Sequence, residues 1–136
     1  MDAESFHQVM LRLQEDRPGL LKEWMAAMRM EASPEELEWM EREYARCPGH
    51  VATVAFYHQT TVNSLPAFPR IDFPTQVYFG TDPKMYDLRQ GYWLRDHIPG
   101  TELVVFERSG HVPMLEEPGR FNRELDAFAR RVFGAG

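Results

Sequence analysis

Apolar side chains recur along the first part of the chain at the spacing of one helical face. Phe6, Val9, Met10 and Leu13 fall three and four residues apart, and Arg17-Pro18-Gly19 breaks that run. Leu21, Trp24, Met25 and Met28 form the stripe of a second helix. A third opens with Ser33-Pro34-Glu35-Glu36, where Ser33 can cap free amides, Pro34 suits the first helical position and Glu36 completes a capping box. Its stripe is narrow, Leu37, Met40 and Tyr44, and Cys47-Pro48-Gly49 ends it. A fourth helix is predicted from Val51 to Val62. Residues 1–63 therefore read as a segment of short amphipathic helices.

The period changes from Leu65. Pro66, Pro69 and Pro74 predict an extended approach to Thr75-Gln76-Val77-Tyr78-Phe79, a short β-branched and aromatic run that ends at Gly80 and reads as a strand. Leu88 to His97 predicts a helix closed by Pro99-Gly100, and Glu102 to Phe106 a second strand. Phe121, Leu125, Phe128 and Val132 line one face of a last helix, with Pro118 near its start. A strand, a helical crossover and a second strand make a parallel βαβ unit. Parallel sheets normally have several strands covered on both faces, so residues 64–136 read as part of a larger sheet.

Composition narrows the class without naming a chemistry. The 136 residues are 43% apolar and 26% charged, a globular profile. The net charge of −6, with both signs mixed and no basic stripe, argues against nucleic acid as a partner. No apolar run approaches the ~20 residues of a membrane helix, and the N-terminal sequence does not resemble a secretory signal. The single Cys47 excludes an internal disulfide and suits a reducing cytoplasm. His7, His50, His58 and His97 lack the clustered spacing of a zinc site, so no metal is expected.

The chemistry concentrates after the two strands. Ser109-Gly110-His111 follows the second strand, and Gly80-Thr81-Asp82-Pro83 ends the first. Loops at the C-terminal ends of parallel strands are where α/β folds place reactive groups. Adjacent strands lie roughly 5 Å apart, so a carboxylate there can reach an imidazole, fix its tautomer and leave the second nitrogen as a base. Ser109 reads as a turn residue, and Glu116 and Glu117 as charges favouring the start of the last helix. Trp24, Met25, Met28, Phe56 and Tyr57 suit either a substrate pocket or a core.

The runs FPTQVYFGTDP, RDHIPGTELVVF and SGHVPMLEEPGRFN resemble the last two strands of α/β-hydrolases in order and connection, with the cofactor-free haloperoxidase and esterase branch as the nearest likeness. The resemblance implies an incomplete α/β-hydrolase fold: a helical cap-like segment over 1–63, then the C-terminal part of the core over 64–136, with a two-stranded parallel βαβ unit and a C-terminal helix. It also implies that no cofactor takes part. The family's triad runs nucleophile, acid, histidine, so Asp82 and His111 would be its last two members. The family's acid usually stands three residues after the glycine. Here Asp82 follows Gly80 by two, which leaves Asp87 as the alternative.

The family's Gly-x-Ser-x-Gly elbow has no counterpart at Ser5, Ser33, Ser64 or Ser109, nor at Cys47 or any aspartate, and the oxyanion loop is absent as well. Removing the nucleophile from a triad costs about 10⁶ in turnover. The chain alone is therefore expected to be inactive, and the resemblance implies a partner: a chain carrying the N-terminal half, or a second copy. Once complemented, it would act on an ester or related acyl substrate of small size. Dehalogenase or epoxide hydrolase chemistry, with an aspartate nucleophile, stays open on the same fold. A different reading is a non-catalytic interaction module that binds through an exposed strand edge.

Overall fold

Four helices carry the first part of the chain in the computed structural model, which describes residues 3–134. They are α1 (Ala3–Glu15), α2 (Arg17–Met28), α3 (Pro34–Ala45) and α4 (Gly49–Thr61). Arg17-Pro18-Gly19 starts a helix instead of ending one. A proline is tolerated in a first turn, where its missing N–H has no helical partner anyway. The break falls at Asp16, whose carboxylate accepts the Gly19 N–H at 3.1 Å. The capping box of α3 forms as the sequence predicts: Ser33 Oγ accepts the Glu36 N–H at 3.2 Å and Glu36 accepts the Ser33 N–H at 2.8 Å. α4 begins two residues before the expected Val51.

Contacts divide the chain into two units. The first runs to Ala26 and resumes over Ala32–Asn63; the second joins Ala27–Glu31 to the chain from Ser64 onward. Met28 and Met30 bond to the segment around His111, and those bonds draw Ala27–Glu31 into the second unit. The core of the first unit is Leu13, Leu20, Leu21, Met25 and Met40. Beside it, the Phe56 ring lies 5.9 Å from Phe6 and 5.7 Å from Trp24, so these aromatics pack on one another.

In the second unit a 3₁₀ helix over Leu65–Arg70 precedes β1 (Gln76–Gly80), α5 (Leu88–His97), β2 (Glu102–Phe106), the single turn α6 (Pro113–Glu116) and α7 (Pro118–Phe133). The 3₁₀ helix corrects the extended approach expected of Pro66 and Pro69. Proline's fixed φ of about −65° serves a 3₁₀ turn as well as an extended chain, so proline content alone does not choose between them. β1 and β2 pair in parallel from Gln76↔Glu102 to Gly80↔Phe106. One face of the pair meets α5, where an added Cβ at Gly91 would stand 2.9 Å from the Phe79 ring. The other meets α7, whose Phe121 ring lies 4.9 Å from Tyr78 and 6.2 Å from the fully buried Phe106.

The loop after β2 is held from within. Ser109, fully buried, donates its hydroxyl to Glu117 Oε1 at 2.8 Å, and the Arg108 N–H donates to the same oxygen at 3.0 Å. Gly80 lies so close beneath this loop that a Cβ there would sit 2.1 Å from the carbonyl oxygens of both Ser109 and Gly110. Both obstacles are backbone, so the strand and loop would have to part. Gly80→Ala is expected to destabilise the protein by about 3 kcal/mol in urea unfolding; a wild-type midpoint would show that the close approach is not made. Glu117→Ala leaves the buried Ser109 hydroxyl and the part-buried Arg108 amide without their acceptor and is expected to cost about 2 kcal/mol by the same measurement.

Candidate active site

Because the register leaves Gly80 opposite Phe106, both strands end level and both exit loops start from the same edge. Three bonds join those loops. The Thr81 N–H donates to Phe106 O at 3.1 Å, the Asp82 N–H to Ser109 O at 3.2 Å, and the Thr81 hydroxyl to Glu107 O at 3.0 Å. Between them lies a cavity of about 270 Å³, lined among others by Tyr78, Gly80, Asp82, Tyr86, Gln90 and His111.

His111 is fixed by its backbone, whose N–H donates to Met28 O at 2.7 Å. Its ring lies 4.8 Å from that of Tyr86, while the residue as a whole remains accessible to solvent. Partial burial of the imidazole lowers its pKa below the ordinary 6.5, which favours the neutral, proton-accepting form. Asp82, with only 9% of its side chain exposed, pairs with Lys84: Oδ1 accepts the Lys84 N–H at 3.1 Å and Oδ2 lies 3.0 Å from Nζ. The structure thus brings Asp82 and His111 to one cavity, but the carboxylate is bonded to the lysine and not to the imidazole. Asp87 is elsewhere. It caps α5, accepting the Arg89 N–H at 2.8 Å and Arg89 Nε at 2.9 Å, and these bonds hold its carboxyl below the usual range.

Two residues that position the histidine went unrecognised in the sequence. Glu116 and Glu117 read there as helix-start charges, yet their carboxylates turn back onto the histidine loop. Glu116 accepts the N–H of Gly110 and that of Met30, each at 2.7 Å, and stands 3.7 Å from Arg29 Nε. With 4% and 7% of their side chains exposed, Glu116 and Arg29 are a buried charged pair that fastens residue 110 to residues 29–30. The available signal was a pair of adjacent acids in an apolar, proline-bounded stretch, just after a Ser-Gly-His turn whose amides need acceptors. Among the described residues, no group of three or more His, Cys, Asp and Glu is placed to hold a metal ion.

No protein-family profile matches the chain. Among curated proteins, 3-oxoadipate enol-lactonase 2 of Acinetobacter baylyi is 27% identical over 110 residues, which are 79% of this chain and 40% of that enzyme. An uncharacterized protein of Mycobacterium tuberculosis is 35% identical over 55 residues, 40% of this chain and 16% of its own length. The esterase from Exiguobacterium antarcticum superposes with a TM-score of 0.88 at 21% identity, covering 94% of this chain and 48% of the esterase. Bromoperoxidase from Bacillus anthracis gives 0.86 at 13% identity, covering 94% and 49%. The chain thus spans about half the length of these solved structures and less than half of the curated relatives. Its two parallel strands and their helices have the fold of the C-terminal portion of an α/β-hydrolase, of the kind found in esterases and bromoperoxidases.

Proposed function

We propose that this chain contributes the acid, Asp82, and the general base, His111, to the cleavage of an ester or related acyl substrate. The nucleophile and the oxyanion donors would come from the part of the fold outside this sequence, in one longer polypeptide or in a partner chain. The observation that carries the reading is the shared cavity, which Asp82 and His111 both line at the level ends of two parallel strands. The likeness to esterases and to an enol-lactonase supports the reaction class. The helices of the first unit would correspond to the cap segment of such enzymes. The isolated Cys47 fits a cytoplasmic location, and among the described residues no helix is long and apolar enough to cross a membrane.

In this mechanism one nitrogen of His111 takes the proton of an attacking hydroxyl as the oxygen adds to the carbonyl carbon. The imidazolium then returns that proton to the departing alkoxide. Water repeats the sequence on the acyl intermediate and releases the acid. Once the ring is charged, Asp82 would accept the N–H of the other ring nitrogen and stabilise the transient positive charge. Tyr86, whose ring lies 4.8 Å from the imidazole, would cover one side of it.

Mixing the chain with a polypeptide that carries the nucleophile half of such a fold is expected to give p-nitrophenyl ester hydrolysis. His111→Ala should lower that turnover by about 10⁶; turnover indifferent to His111 would exclude it as the base. A fluorophosphonate probe should label the complementing polypeptide and leave this chain unlabelled. Burial lowers the imidazole pKa, so the ring stays neutral to a lower pH than an exposed histidine. The acid limb of kcat/KM should accordingly fall below the ordinary imidazole range; a limb above that range would contradict the assigned base.

A further inference from the structure

Asp82 and His111 line one cavity, yet the carboxylate is held by a residue that no triad requires. Lys84 Nζ stands 3.0 Å from Asp82 Oδ2 and donates to the carbonyl oxygens of Arg29 at 3.0 Å and Met30 at 3.3 Å. The Lys84 backbone N–H takes the other carboxylate oxygen at 3.1 Å. Three acceptors therefore fix the ammonium, and both oxygens of a nearly buried carboxylate face one residue. The carbonyls that anchor Lys84 belong to the segment that binds the histidine loop, through Met28 O on the His111 N–H and the Met30 N–H on Glu116. Residues 28–30 thus set the position of both loops.

We propose that Lys84 is a positioning residue that holds Asp82 away from His111 and so sets how strongly the acid and the base are coupled. The inference rests on the triad reading above. A neutral imidazole offers the carboxylate an uncharged N–H, whereas the ammonium adds the Coulombic attraction of a full opposite charge to its N–H donors and is the stronger partner. With the ring neutral, the lysine keeps the carboxylate. A proton on the ring makes it a second cation, and the competition becomes more even. The charged and titratable groups around the pair are Tyr86 against the ring, Glu116 on the Gly110 amide, and Arg29 beside Glu116. Glu116 has its own donors, which leaves Asp82 as the carboxylate that lines the cavity with His111.

The test is the NMR titration of the His111 ring in the full chain alone, in wild type, K84Q, D82N and K84Q/D82N. Removing the ammonium frees Asp82 for the ring, so the His111 midpoint should rise by about 1 pH unit in K84Q over wild type. The rise should vanish between D82N and K84Q/D82N. An unchanged midpoint in K84Q overturns the proposal. So does an equal rise without Asp82, which would reflect only the loss of a positive charge. With 48% of its side chain exposed, Lys84 is replaceable without opening a core; K84M, which keeps the aliphatic stem, runs beside K84Q so that misfolding of one leaves the other to decide. Because the titration needs no nucleophile, the two readings fail separately. His111-dependent hydrolysis without a lysine effect removes only the role of Lys84. A lysine effect without His111-dependent hydrolysis removes only the triad reading.

Discussion

The close passage of Gly80 beneath the Ser109–Gly110 backbone is the contact on which the rest of the site depends. Two parallel strands in register bring their ends level, but level ends alone leave two independent loops. A glycine at the last position of β1 lets the second loop lie directly over the first strand, and the Thr81 and Asp82 amides then find acceptors in the second strand and its loop. The side chain of Asp82 and the ring of His111 reach the same cavity as a consequence of backbone bonding. Any larger residue at position 80 pushes on main chain, which has no rotamer to change.

A loop so closely applied to a strand carries many amide groups away from water, and each requires a partner. Glu116 and Glu117 provide for them. One takes the Gly110 and Met30 amides, the other the Arg108 amide and the Ser109 hydroxyl. Carboxylates accept such bonds more strongly than neutral oxygens do, and the nearby Arg29 guanidinium offsets part of the cost of burying Glu116. The acids after the histidine are therefore structural supports of its loop. The two-stranded sheet adds little rigidity of its own, since every β1 residue before Gly80 keeps partial access to solvent.

What the sequence made legible follows the range of the forces involved. β1, α5, β2, α7 and the Ser33–Glu36 capping box rest on period, propensity and neighbours within four residues, and each lies within a few residues of where the pattern put it. The 3₁₀ turn over Leu65–Arg70 was missed because proline's dihedral serves two backbone classes. Asp16 was missed as a cap because Pro18 and Gly19 looked like the stronger break. Residues 28–30 were assigned to a helical segment, but Met30 meets Glu116 across 86 positions. No local pattern reports a bond of that span. The two motifs that end at Asp82 and His111 were legible; the groups that hold their loops were not.

The state of Asp82 illustrates how such a site chooses among partners. A carboxylate with 9% of its side chain exposed needs a charged or hydrogen-bonding partner. The lysine two residues on lies on the same loop, so pairing with it requires no further ordering of the chain. The imidazole belongs to another loop and, while neutral, offers the weaker donor. Proximity and charge both favour the lysine over a neutral ring. If Lys84 restrains Asp82 as proposed, the carboxylate would engage the imidazole more in its charged form than in its resting form, and a difference between those two forms is the kind of interaction that favours a transition state over a ground state.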